Sequence, residues 1–249
     1  VKLNKVVTVA LGLALINQVF AGDGGNSIDH KWRPVVALGL SHAWSNSPGE
    51  TQTIYLQPEL AETWTSNSAK KKFTVGELFL GLQHNFTPTL FAQLGFAAAT
   101  TTAITLNGEI WQDADPDMNN LTYSYKIKHT RLAVKGKLLT NVHQLVQPYI
   151  SGSLGVGINR AYNYISTPKN HNILPEAPFA SKTTRKLTYT LGAGLQRALN
   201  SHWSIGFGYE FSDWGKTSLG AALEQVSNGG LNLNHIYTNQ LQFSLSFVA

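Results

Sequence analysis

The chain contains no cysteine. Disulfides and thiolate metal sites are therefore excluded, and an exported form must hold together without covalent staples. Past residue 21 it also lacks any apolar run approaching the roughly 20 residues of a membrane-spanning helix. No two histidines have zinc-ligand spacing. Leu154-Gly155-Val156-Gly157 places its glycines inside a strand pattern, without the following helix that a phosphate-cradling motif requires. Positive charge is in small excess: the formal +5 falls to +3 once Lys2 and Lys5 leave with a leader, which gives no case for nucleic acid.

The leader is read from the first 21 residues, where Lys2 and Lys5 precede an apolar run from Val6 to Ile16 and the stretch Val19-Phe20-Ala21. This is the pattern of a signal peptide cut after Ala21, with Gly22-Asp23-Gly24-Gly25 breaking any continued helix. Residues 22–249 are then expected to form one domain.

What that domain does contain is alternation of period two. In Gln240-Leu241-Gln242-Phe243-Ser244-Leu245-Ser246-Phe247 the apolar side chains fall on one face and the polar ones on the other. Similar segments occur at about 32–44, 73–86, 90–103, 122–139, 146–165, 185–199, 202–216 and 235–248, which predicts eight long strands. One face carries sets such as Leu38 and Leu40, Leu78 to Leu82, Phe96, Leu132 and Val134, and Ile205 to Phe211 at alternate positions. The opposite face carries small and polar residues such as Gly39, Gly81, Gly95, Gly155, Gly192, Gly206 and Gly208. A solvated sheet face does not need so many glycines, whereas the cramped centre of an eight-stranded ring does. The expected fold is all-β, a closed antiparallel eight-stranded transmembrane barrel.

Connection lengths alternate in the same sense. Joins near 85–89, 140–144 and 199–201 are short, while those near 45–72, 104–121, 166–184 and 217–234 are long and polar. Short periplasmic turns and long extracellular loops are the barrel pattern. Thr51-Gln52-Thr53-Ile54-Tyr55-Leu56 reads as a hairpin extension above the membrane; counting it with a partner as spanning strands would make ten.

With Trp32 ahead of the first strand, Gly206-Phe207-Gly208-Tyr209-Glu210-Phe211 and a Phe-rich final strand, the chain resembles the opacity-type and OmpA-like family of small eight-stranded outer-membrane proteins of host-associated gammaproteobacteria. It departs from the family in ending with Val248-Ala249 where an aromatic residue is usual. The resemblance implies residence in the outer membrane of a Gram-negative bacterium, delivery by the barrel assembly machinery, no cofactor, and a structural role or contact with host surface molecules through the loops. A narrow porin-like channel for small solutes is the alternative.

Glu77, Gln83, Lys135, Lys137 and Glu210 share the predicted interior, and charges confined there require pairing or hydrogen bonding. Lys70, Lys71, Lys72, Lys126, Lys128, Arg185 and Lys186 lie near the loop end, where they are candidates for contact with outer-membrane lipid and lipopolysaccharide phosphates. Trp44, Tyr162, Tyr164, Phe211 and Trp214 are expected in an outer aromatic girdle, and Phe86, Tyr149 and Trp203 at the inner boundary. Asp113, Asp115 and Asp117 begin like a calcium loop but lack its glycine and closing glutamate, so no metal site is assigned. His42 and Ser45 resemble the His and Ser of lipid A deacylases, yet their spacing of three sends them to opposite faces of a strand. His84, His129 and His235 lie on separate strands. No catalytic residue is assigned, and the chain reads as non-enzymatic.

Overall fold

The structure is a computed structural model that describes residues 32–45, 49–58, 60–67, 70–141, 146–223, 225 and 229–249. The leader expected over residues 1–21 and most of the turn at 140–144 lie outside these. The eight long strands predicted by alternation form a closed ring: β1 (Arg33–Ser45), β4 (Lys71–Asn85), β5 (Leu90–Thr101), β7 (Leu121–Thr140), β8 (Gln147–Pro168), β9 (Lys182–Ala198), β10 (Trp203–Asp213) and β13 (Tyr237–Val248). Each pairs antiparallel with its neighbours, and β1 closes on β13 from Val35↔Val248 to Ser45↔Thr238. The start of β1 and the residue after β13 meet at the end that carries the short turns, where Ala249 donates its backbone N–H to Pro34 and Arg33 donates to the Ala249 carbonyl.

The remaining strands stand above this ring. Strand β2 (Gln52–Gln57) pairs with β3 (Leu60–Ser66), β3 with β6 (Ile104–Trp111), and β6 with the outer third of β7. The segment at 51–56 is thus a hairpin extension and not a ninth spanning strand. A short hairpin, β11 (Thr217–Ser218) with β12 (Asn232–Leu233), folds over the opening. Two one-residue bulges mark the passage from ring to crown. Thr100 faces Thr130 while Ile104 faces Ile127, so four steps along one strand oppose three along the other. On the other side of β7, Lys126 faces Tyr162 and Ser124 faces Ile165, with Asn163 taking up the extra residue at φ 59°.

Strand β7 shows the consequence of this architecture most plainly. Below Thr130 its outward residues are Leu132, Val134 and Leu138, all exposed, and its inward residues include Ala133 and Lys135. Above Thr130 the assignment reverses: Thr122, Ser124, Lys126 and Lys128 point out, while Leu121, Tyr123, Tyr125 and Ile127 are buried inside. The lower storey therefore has the polarity of a membrane barrel and the upper storey that of a water-soluble one. The crown interior holds Trp64, Ile104, Leu106, Ile110, Tyr164, Phe179, Trp214, Leu219, Leu231 and Ile236 in one apolar cluster. Each such side chain contributes about 1.5–3 kcal/mol on burial, so the crown is a folded core rather than a set of loops. Tyr164 and Trp214 were expected in the outer girdle and Tyr149 at the inner boundary, but all three turn inward. The Asn163 bulge rotates Tyr164, and the chain leaving β10 carries Trp214 over the lumen.

Small residues set the ring's tight curvature. A Cβ on Gly155 would lie 2.1 Å from the Leu132 carbonyl oxygen and 2.4 Å from Ala133 Cα, whereas one on Gly136 would meet nothing nearer than 4.0 Å. Gly155→Ala should therefore destabilise the folded, heat-modifiable form by about 1–3 kcal/mol in urea titrations, with Gly136→Ala as the neutral control. Equal behaviour of the two variants would contradict this packing.

Candidate functional site

The midplane of the lumen is occupied by four charges. Arg131 and Lys135 lie four residues apart on the inward face of β7, about 13 Å along the strand, with small Ala133 between them. Glu77 comes from β4, two strands away, across the inward-facing Ala97 and Ala99 of β5. Glu210 comes from β10 across Gly192 and Ser151 on the other side. Each carboxylate bridges both cations: Glu77 lies 2.5 Å from Lys135 Nζ and 3.2 Å from Arg131 Nη2, and Glu210 lies 2.9 Å and 3.4 Å from the same two atoms. Gln240 donates to Glu210 at 2.6 Å and Gln242 to Glu77 at 3.4 Å. The cluster is electrically neutral and straps three strands of the ring together. Arg131 shares the inward parity of Ala133 and Lys135, so its place was readable from the alternation although it was not among the expected lumen charges.

Lys137 and Gln83 are in the lumen but outside this cluster. Lys137 donates to Gln196 at 2.5 Å and lies 3.9 Å over the Tyr149 ring; Gln83 accepts from Gln93 at 2.9 Å. Between these groups and the ion cluster is a cavity of about 40 Å³ lined by Glu77, Lys135, Lys137 and Tyr149, room for water and nothing larger.

Above the cluster the opening is stoppered. The Trp214 ring lies 4.7 Å from the Arg131 guanidinium, and its indole N–H donates to Thr238 at 3.1 Å. Asn159 donates to the carbonyls of Trp214 and Lys216 at 2.7 and 3.1 Å, and bonds His129 at 2.8 Å. His129 is thereby fixed as part of the stopper. His235 lies outside, 2.7 Å from Asp213 at the rim, and among the described residues no hydroxyl or second carboxylate bonds to it. His42 is exposed on the outer face and Ser45 is buried on the inner one, so they form no dyad. Asp115 accepts from the Asp117 N–H at 2.9 Å and caps a 3₁₀ turn, while Asp113 sits at φ 52°; among the described residues no group of acids and histidines is arranged to hold a metal.

On the outer face above the apolar belt, Lys126 and Lys128 of β7 and Arg185 of β9 are exposed, joined by Arg160 of β8, which pairs with Lys128 in register. Lys70 and Lys72 are exposed farther round the rim. Lys71 donates to Asn107 at 2.9 Å, and Lys186 follows the inward parity of β9 beside Gly215.

A family model for the outer membrane protein beta-barrel domain matches residues 8–248. The chain belongs to that family. Membership agrees with the likeness read from the sequence and places the protein in the outer membrane of a Gram-negative bacterium, its eight ring strands crossing the bilayer. Among solved structures, Neisserial surface protein A (NspA) is 11% identical with a TM-score of 0.43, covering 86% of this chain and 96% of its own. OprG from Pseudomonas aeruginosa is 14% identical at 0.46, covering 88% and 97%. The outer membrane protease OmpT from Escherichia coli is 9% identical at 0.46, covering 90% and 99%. No curated protein matches.

As in any barrel of this family, ionised groups cut off from water need complete pairing. Glu210→Gln leaves two cations with one carboxylate and should cost about 3–5 kcal/mol of unfolding free energy in vesicles. Adding Lys135→Met restores neutrality and should recover part of that loss; no loss in the single variant would refute the pairing. In the crown, burial and the neighbouring carboxylates of Glu176 and Asp113 push Glu62 up to about 8. Unfolded Glu62 would ionise near 4.5, so the folded crown alone keeps this proton between those values and loses stability as pH rises through that window. Proteolysis in the Glu176 loop (169–181) should accelerate from pH 6 to 9 in the parent protein and stay flat in Glu62→Gln. A parallel rise in both would rule out Glu62 as the source.

Proposed function

We propose that this protein is a non-enzymatic, non-conducting outer-membrane barrel that anchors a rigid crown at the cell surface, serving envelope integrity and contact with host surface molecules. The observation that carries the reading is the double obstruction of the lumen. Four ion pairs cross it at the midplane, and Trp214 with the apolar cluster fills it above. Eight strands leave interior width only for side chains, and here the side chains are bonded to one another.

A channel reading would need a polar path past both obstructions. An enzymatic reading would need a nucleophile or water-activating group beside a base, and among the described residues the rim pair His235 and Asp213 has none bonded to it. The crown instead offers what a binding surface needs: a packed scaffold with polar residues turned outward and loops fixed at their roots. β13, ending Phe247-Val248, is the segment that barrel assembly machinery would engage.

Planar-bilayer recordings decide the matter. The parent protein should give no unitary conductance, and bacteria displaying it should attach to host cells more than bacteria displaying a barrel trimmed at 49–66 and 216–235. Reproducible current steps that change in Glu210→Gln would overturn the reading in favour of a porin.

A further inference from the structure

We infer that the β4–β8 wall of the barrel carries a seat for one phosphorylated, multiply acylated glycolipid of the outer leaflet, of the lipid A class. Two independent features meet there. Within the apolar belt, a groove is lined by Leu78 and Leu80 of β4, Phe96 of β5, Leu132 of β7 and Val156 of β8, with Ala98 as its floor. Ala98 is the small residue in a row of large ones, Leu78, Leu132 and Val156 being its register neighbours along that level. Acyl chains fit a depression of this kind because Leu78, Phe96, Leu132 and Val156 stand higher around it.

Directly above stand the cations. Along β7 and β8 the sequence climbs from Leu132 and Val156 through Thr130 and Ile158 to the register pair Lys128 and Arg160, then to Lys126 and Tyr162. Arg185 on β9 pairs with Ile158 one step lower. From Leu132 to Lys128 is about 13 Å along the strand. All four cations are exposed, and none of them has an acidic partner among the described residues. Glu109, an outward carboxylate of β6, is already engaged by Lys169 at 2.9 Å and Asn119 at 2.6 Å. Four like charges with no internal counter-charge, placed at the level where the apolar belt ends, are complementary to phosphate at the headgroup.

The charge count selects the occupant. A glycerophospholipid brings one phosphodiester charge and would leave three of the four cations unmatched, whereas the two phosphate monoesters of a bis-phosphorylated disaccharide bring about three to four negative charges and span both levels. Its sugar hydroxyls would meet the outward Ser124 and Thr122 of β7 and Asn107 of β6. Acyl chains in the groove and phosphates on the patch then belong to one molecule. The inference is independent of whether the lumen conducts.

Native mass spectrometry of the folded protein, titrated with lipid A, dephosphorylated lipid A or phosphatidylglycerol, tests the seat. One lipid A should be retained per barrel, and Lys128→Ala/Arg160→Ala should weaken that retention about tenfold. Ala98→Leu, which fills the groove, should weaken it similarly; Phe96→Ala, removing a groove wall, serves as a second variant, and heat-modifiable migration confirms folding of each. Dephosphorylated lipid A should bind the parent protein no better than lipid A binds the double variant. Equal retention of phosphatidylglycerol and lipid A would overturn the proposal. So would loss in the charge variant with none in either groove variant, which would mean a diffuse basic belt in place of a seat.

Discussion

Closure of the ring is the constraint from which the other features follow. In hydrocarbon an unpaired backbone N–H or carbonyl costs several kilocalories per mole, so the first strand must pair with the last. The register between β1 and β13 fixes the parity of every residue along that seam, since a slip of one residue would exchange the two faces. Eight strands enclose little space. The interior must accept small residues, as at Gly155 and Gly192, and the long polar side chains that enter must neutralise one another. The Arg131, Lys135, Glu77 and Glu210 cluster is that neutralisation. Such a cluster adds little net stability over apolar residues of the same shape; it ties β4, β7 and β10 to one another across the lumen.

Above the membrane the solvent changes and so does the rule. The same strands continue, but water now lies outside, and the side chains that turn inward become tyrosine, tryptophan, leucine and isoleucine. Bulges at 102–103 and at Asn163 shift the parity where two strands flanking β7 enter the crown. A protein built this way has its stability in two cores of opposite logic. It presents to the exterior a folded surface at whose base Lys126, Lys128, Arg160 and Arg185 are exposed.

Much of this was legible in the sequence. Period-two alternation located all eight ring strands, and parity put Leu38, Phe96, Val134 and Phe243 outside with Gly39, Ala97, Lys135 and Gln242 inside. The short 51–56 segment was separable from spanning strands by its length. What alternation could not convey was its own inversion. Tyr123 and Tyr125 alternate with Ser124 just as Leu132 and Val134 alternate with Ala133, and only the position of the bilayer decides which set is buried. Tyr164 and Trp214 were misplaced because a bulge and a chain reversal have no periodic signal. Arg131 and Arg160 are different: each follows the parity of neighbours already assigned, and extending that parity by one step would have found both. The Glu62 and Glu176 contact joins a hairpin to a distant loop, which no local pattern encodes.

The exchange of polarity between the two faces along β7, with even positions outward throughout, is the claim on which the two-storey account rests, and spin labels placed singly from Thr122 to Leu138 measure it directly. Labels at outward positions 122, 124, 126 and 128 should be relaxed by a water-soluble nickel chelate, those at 132, 134 and 138 by oxygen, and labels at 123, 125 and 127 by neither. Oxygen-dominated relaxation at all outward positions, or free access of the chelate to 123, 125 and 127, would contradict it.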